Sequence, residues 1–159
     1  MSHRPKAAAG VSDRELVAAA NAARALAYTP YSGFRVGAAL LTGDGVVIPA
    51  GNVENASYGL TICAERAAVC AALASGQRRF VAIAVVTDRP DPVTPCGACR
   101  QVLREFPEGP ALRVLCAGAG AGSVDPGGGS PGPVLTLALD QLLPRSFGPE
   151  QLQAGEALP

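Results

Sequence analysis

Two short cysteine motifs, Cys63-Ala64-Glu65 and Pro95-Cys96-Gly97-Ala98-Cys99, constrain this chain more than anything else in it. Cysteines at this spacing mark metal sites, so the fold must carry Cys63 back to Cys96 and Cys99 around one centre. Three protein ligands leave a fourth tetrahedral position for water, the arrangement of a catalytic zinc, one per chain. Cys96 and Cys99 sit one helical turn apart at a helix start and Cys63 near the start of another, so two positive helix ends face the metal. Three thiolates on a divalent ion leave a net negative cluster, which helix dipoles and a nearby cation keep ionised. Arg66 is the candidate cation, and an ordinary helix-surface arginine is the equally open alternative. Glu65 follows Cys63 too closely to be an equivalent ligand without strain, yet closely enough to touch the metal-activated water. It reads as the proton shuttle.

The count of five cysteines is odd, which together with the motifs argues against a disulfide framework. Cys70 and Cys116, with apolar neighbours, read as buried free thiols. His3, the single histidine, falls in the N-terminal tail and reads as solvated. The 13 basic and 13 acidic residues cancel, and the only adjacent basic pair is Arg78-Arg79. A nucleic-acid binder displays a basic patch that neutralises several phosphates, so a small, weakly charged ligand is expected and nucleic acid is not. No apolar stretch has the length of a signal peptide or a membrane span, so the expected location is the cytoplasm, with no membrane partner.

The 159 residues suit one domain, here residues 12–150, between tails at 1–11 and 151–159. Ser12-Asp13-Arg14-Glu15 matches a capping box that opens a helix whose apolar face, Leu16, Ala20, Ala23 and Ala27, runs to Thr29-Pro30. Phe34–Leu41 and Val46–Ile48 flank the turn signal Gly43-Asp44-Gly45 and predict a hairpin. Thr61–Ser75 is expected to be helical, closed by Gly76. Phe80–Thr87 is a strand, and a loop with three prolines then delivers Cys96 to a second short helix ending at Phe106-Pro107. Leu112–Cys116 and Val134–Leu139 are further strands, separated by the Gly, Ala, Ser and Pro-rich connection Ala117–Pro133. The expected fold is α/β, a mixed five-stranded sheet sandwiched by helices.

Cys-Ala-Glu followed by Pro-Cys-x-x-Cys resembles the zinc nucleoside and nucleobase deaminases, in which a glutamate beside the zinc, not itself a ligand, moves the protons. Longer strings are similar to the small cytidine deaminases: Pro30-Tyr31-Ser32-Gly33-Phe34-Arg35-Val36-Gly37-Ala38-Ala39-Leu40, Gly51-Asn52-Val53-Glu54-Asn55-Ala56, Cys96-Gly97-Ala98-Cys99-Arg100-Gln101-Val102 and Leu142-Leu143-Pro144-Arg145-Ser146-Phe147-Gly148-Pro149. The resemblance runs from about Tyr31 to Gln151. It implies hydrolytic deamination of cytidine and deoxycytidine in pyrimidine salvage, on a cytidine deaminase-like fold. It further implies that Asn52 and Glu54 bond the ribose hydroxyls, that Phe34 packs near the base, and that Glu65 and the Ala64 backbone read the base's polar edge. Phe147 is implied to reach a neighbouring subunit's site in a homotetramer, and the small residues Ala64, Ala67, Ala68 and Ala71 suggest close helix approach at its centre. Taken singly, Phe34 and Phe147 read as core residues and Asn52 and Glu54 as turn residues. The connection Ala117–Pro133 looks longer and richer in glycine than its counterpart in the family.

Two other readings compete. A related deaminase acting on an aminonucleoside antibiotic or a nucleic-acid base shares the metal core. A structural zinc module needs a fourth ligand, and Cys70, the only nearby candidate, lies two helical turns beyond Cys63, roughly 10 Å away.

Overall fold

A computed structural model of the chain describes residues 10–106, 108–120 and 132–152. Of the expected tails and the glycine-rich connection, residues 1–9, 121–131 and 153–159 lie outside the described residues, as does Pro107.

Helix α1, Asp13–Arg24, begins where the capping box places it: the Glu15 amide donates to Ser12 Oγ at 3.3 Å and the Ser12 amide to Glu15 Oε2 at 2.7 Å. It ends earlier than its apolar face suggests, at Arg24 rather than Thr29. The chain leaves the helix because the Tyr28 amide donates to Asn52 O at 2.9 Å, and Tyr28 forms a bridge with Val53. A long-range pairing overrides the local periodicity.

Strands β1 (Val36–Thr42) and β2 (Val47–Gly51) form the expected hairpin. Helix α2 spans Ala64–Ala74, and β3 spans Phe80–Thr87 as expected. Helix α2 ends in a Schellman motif, with Gly76 at φ 82°, its amide on Leu73 O and the Gln77 amide on Ala72 O. Helix α3 (Gly97–Arg104) crosses over to β4 (Arg113–Ala117), which is parallel to β3, and β5 (Val134–Ala138) returns antiparallel before the single turn α4 (Leu139–Leu142). The sheet order is β2-β1-β3-β4-β5, five strands among the described residues.

Alternation along the central strands divides the core into two layers. Ala39 and Leu41 of β1, Ala82, Ala84 and Val86 of β3 and Leu115 of β4 meet Leu16, Val17 and Ala20 of α1 on one face. Ala38, Leu40, Ile83, Val85, Val114 and Cys116 meet Ala64, Ala68, Val69 and Ala72 of α2 and Leu103 of α3 on the other. Two expectations change here. Ala64 and Ala68 are fully buried against the sheet, leaving Ala71 and part of Ala67 on the outer face of α2. Cys70 is exposed rather than buried, because α2 turns Val69 and Ala72 inward and Cys70 away, whereas Cys116 is buried as expected.

Helix α1 packs tightly because Gly37 and Gly51, register partners across the hairpin, pass beneath its C-terminal end. A Cβ at Gly37 would stand 2.0 Å from Ala20 O and 2.5 Å from Arg24 N, both backbone atoms that cannot swing aside. Gly37→Ala is therefore expected to cost about 1 to 3 kcal/mol or more by overpacking. Thermal melting of the folded variant checks this, and an unchanged midpoint would show that the helix can retreat from the strand freely.

Candidate active site

Cys63 and Cys96 are the N-cap residues of α2 and α3, both in extended conformation, and neither side chain caps its own helix. Each thiol is thereby free to point away from its helix, into the space where the two N-termini meet. Cys99 is the third residue of α3, and an N-cap and third-residue pair face one another, as in a capping box. The three sulfurs lie within 4.8 Å of one another, and Cys63 Sγ is 3.9 Å from Cys96 Sγ. Two sulfurs each about 2.3 Å from a tetrahedral zinc sit about 3.8 Å apart, so this donor set fits the ion with little adjustment. Among the described residues the group contains only these three ligands, and exposed Cys70 is not one of them. A structural zinc module would lack its fourth protein ligand.

The same geometry on α2 places Arg66, its third residue, over Cys63. Arg66 Nη2 donates to Thr61 O at 3.0 Å and approaches Cys63 Sγ at 3.8 Å, while its Nε is buried with no hydrogen-bond partner among the described residues. The guanidinium thus faces the thiol cluster rather than the helix surface. A hydrogen bond with Cys99 draws the Cys63 thiol down to about 5, Arg66 adds to this, and burial opposes it. The same bond and burial push the Cys99 thiol up.

Glu65, between them at the second helical position, is 4% exposed. Burial raises its carboxyl above the usual range, and the Cys63 charge adds to the rise. It lines a pocket of ≈ 300 Å³ together with Phe34, Asn52, Glu54, Thr94 and the thiols of Cys63 and Cys96. Thr87, at the C-terminal end of β3, also lines it, so the pocket lies where parallel strands typically present ligands.

The segment 52–54 reaches this pocket through two bridges, Tyr28 with Val53 and Val53 with Ile62. Asn52 and Glu54 then share one side of an extended segment while Val53, 44% exposed, faces the other. These bridges also correct the start of α2. Thr61 and Ile62 are extended rather than helical, because Ile62 exchanges two 2.9 Å hydrogen bonds with Val53.

Both polar residues have structural duties. Asn52 Oδ1 accepts from the Val36 amide at 2.9 Å, and Asn52 Nδ2 donates to Phe34 O at 3.0 Å. One Nδ2 proton remains for a ligand. Glu54 accepts from the Tyr31 amide at 2.9 Å, the Ser32 amide and the Ser32 hydroxyl, which together hold its carboxyl below the usual range. Phe34 lines the pocket with the Arg89 guanidinium 5.9 Å from its ring centroid. Ala64, buried, is the first residue of α2 between lining residues Cys63 and Glu65. Phe147 lies outside this chain's pocket and is 57% exposed.

Ser32, Thr61 and Thr94 line the pocket without having been singled out from the sequence. Ser32 stands inside a recognisable string, but its link to Glu54 spans 22 positions and carries no local signal.

Comparison with known proteins agrees with this geometry. Residues 11–112 match the cytidine and deoxycytidylate deaminase zinc-binding region. A cytidine deaminase from Halalkalibacterium halodurans is 46% identical over 141 residues, 88% of this chain and 98% of its own length. The crystal structure of a cytidine deaminase from Burkholderia pseudomallei superposes with a TM-score of 0.75 at 47% identity, covering 86% of this chain and 100% of the other. That of a Mycobacterium tuberculosis cytidine deaminase gives 0.70 at 42% identity, covering 87% and 99%.

Metal analysis of the purified protein is expected to find one zinc per chain, lost in Cys96→Ala. Arg66→Gln is expected to keep the fold and release zinc to a chelator about tenfold faster or more, since hydrogen bonds to charged groups are worth about 1.5 to 3 kcal/mol. Unchanged release would return Arg66 to an ordinary helix residue.

Proposed function

The chain belongs to the zinc-dependent cytidine deaminases, and on that premise we propose that it hydrolyses cytidine and deoxycytidine to uridine and deoxyuridine with release of ammonia. The observation that carries this reading is the buried Glu65 carboxyl in one pocket with Cys63 and Cys96, whose thiols converge with that of Cys99. At ≈ 300 Å³ the pocket lies at the small end of the range for small-molecule sites, which suits a single nucleoside.

Cys63, Cys96 and Cys99 would hold the zinc, which when bound supplies the Lewis acidity that brings a water's pKa toward about 7. Glu65 takes one proton from the water that attacks C4 of the base and gives it to the neighbouring ring nitrogen, then takes the remaining proton of the new C4 hydroxyl and gives it to the amine as the C4–N bond breaks and ammonia leaves. Its raised affinity for protons suits both directions of this transfer. Phe34 packs on the base, the Ala64 backbone reads its polar edge, and Asn52 and Glu54 receive the ribose hydroxyls. Ser32 and the amides of Tyr31 and Ser32 keep the Glu54 carboxylate in place as an acceptor. That carboxylate also disfavours a phosphate nearby, and this supports a free nucleoside over a nucleotide or nucleic acid.

The proposed assembly is a homotetramer in which Phe147 completes a neighbour's site. Its exposure supports this, as does that of Tyr58 at 75% and Leu60 at 65%, since burying a phenylalanine is worth about 1.5 to 3 kcal/mol. Among the described residues no helix is long and apolar enough to cross a membrane. The five cysteines are free, and a working thiolate site suits the reducing cytoplasm, the proposed location for a role in pyrimidine salvage.

An ultraviolet assay with cytidine on zinc-replete protein tests the reaction. Glu65→Gln is expected to retain zinc and fold while losing at least ~100- to 10,000-fold in rate, and loss of its zinc would make Glu65 a ligand instead. Light scattering is expected to report about four times the 16.0 kDa chain mass, and Phe147→Ala to raise KM for cytidine. A fully active monomer would show that the site is complete within one chain.

A further inference from the structure

The loop that carries Cys96 to the metal site has little means of attaching itself. Pro90, Pro92 and Pro95 lack amide protons, so this stretch must be held through its acceptors. Pro95 is buried, and its carbonyl needs a donor. Arg100, the residue after Cys99, supplies it: Nε donates to Pro95 O at 2.7 Å and Nη2 to Thr94 Oγ1 at 2.9 Å. The third nitrogen, Nη1, donates at 2.7 Å to Leu142 O at the end of α4, where helix carbonyls lack partners within the helix. One guanidinium therefore spans the pocket wall and the start of the segment leading to Phe147.

Neighbouring side chains of α3 extend this grip. Gln101 Nε2 donates to Phe147 O at 3.0 Å, and Arg104 Nε donates to Ser146 Oγ at 3.0 Å and pairs with Glu150. Gly148 is buried against the Arg104 guanidinium, where a Cβ would stand 2.7 Å away. Helix α3 thus presents metal ligands at its first turn and donors to residues 142–150 directly after them.

We propose that Arg100 is a positioning residue that ties the Thr94–Cys96 pocket wall to the end of α4, so that the metal ligands and the segment bearing Phe147 move as one unit. Lysine cannot replace it, because a single ammonium cannot span three acceptors in two segments. The kinetic consequence rests on the deamination proposed above, whereas the mechanical one does not.

The test compares the zinc-loaded unaltered protein with Arg100→Lys and Thr94→Val, the latter removing one acceptor with little change of shape. Amide hydrogen exchange is expected to speed up about tenfold or more in Arg100→Lys in both residues 91–96 and 142–152, and less, in the same two segments, in Thr94→Val. In the cytidine assay KM is expected to rise more than kcat falls. Accelerated exchange confined to one segment would overturn the proposal, as would unchanged exchange in a folded variant. If Arg100→Lys does not fold, Thr94→Val decides by the same criteria. If the unaltered protein does not deaminate cytidine, the exchange result still stands for or against the tie.

Discussion

The structure depends on two helix N-termini meeting head to head over three thiols. Each terminus presents unpaired amides and a partial positive charge, which stabilises thiolate where isolated sulfur anions would be costly to bury. Cys63 and Cys96 serve because both are N-cap residues whose side chains do not cap their own helices. From that one arrangement follow the placement of Cys99 and Arg66 at third positions facing the caps, and of Glu65 between them on the pocket side. Moving any of these by one residue would turn it about 100° around its helix and out of the site.

The sheet's task is to hold those two termini in register. Strand β3 runs between α1 on one face and α2 on the other, and its end at Thr87 opens into the pocket. The parallel β3 and β4 pair sets the path of α3, and the hairpin sets the position of α2 through the bridges at Val53. Asn52 lines the pocket while its amide fixes Phe34 and Val36. One side chain thus belongs both to the pocket wall and to the link between segment 52–54 and the start of β1.

Features with a local physical cause were legible in the sequence. The Ser12 and Glu15 capping box, the Gly76 helix end and β3 are each written within a few neighbouring residues, and the structure reproduces them. The three-thiol centre was legible because its spacing leaves few other chemistries. Features decided by distant partners were not. The early end of α1 and the late start of α2 come from Tyr28 and Ile62 pairing with Val53, and the outward turn of Cys70 comes from which face of α2 meets the sheet. Arg100 is likewise silent in sequence, since one of its three acceptors lies 42 positions away.

Three sulfurs of this chain would hold the zinc, with its remaining position left for the reacting water. X-ray absorption at the zinc edge of the zinc-replete protein reads that coordination directly. Three sulfur ligands at about 2.3 Å and one oxygen ligand at about 2.0 Å are expected. Four sulfur ligands, or a shell dominated by nitrogen and oxygen, would contradict it.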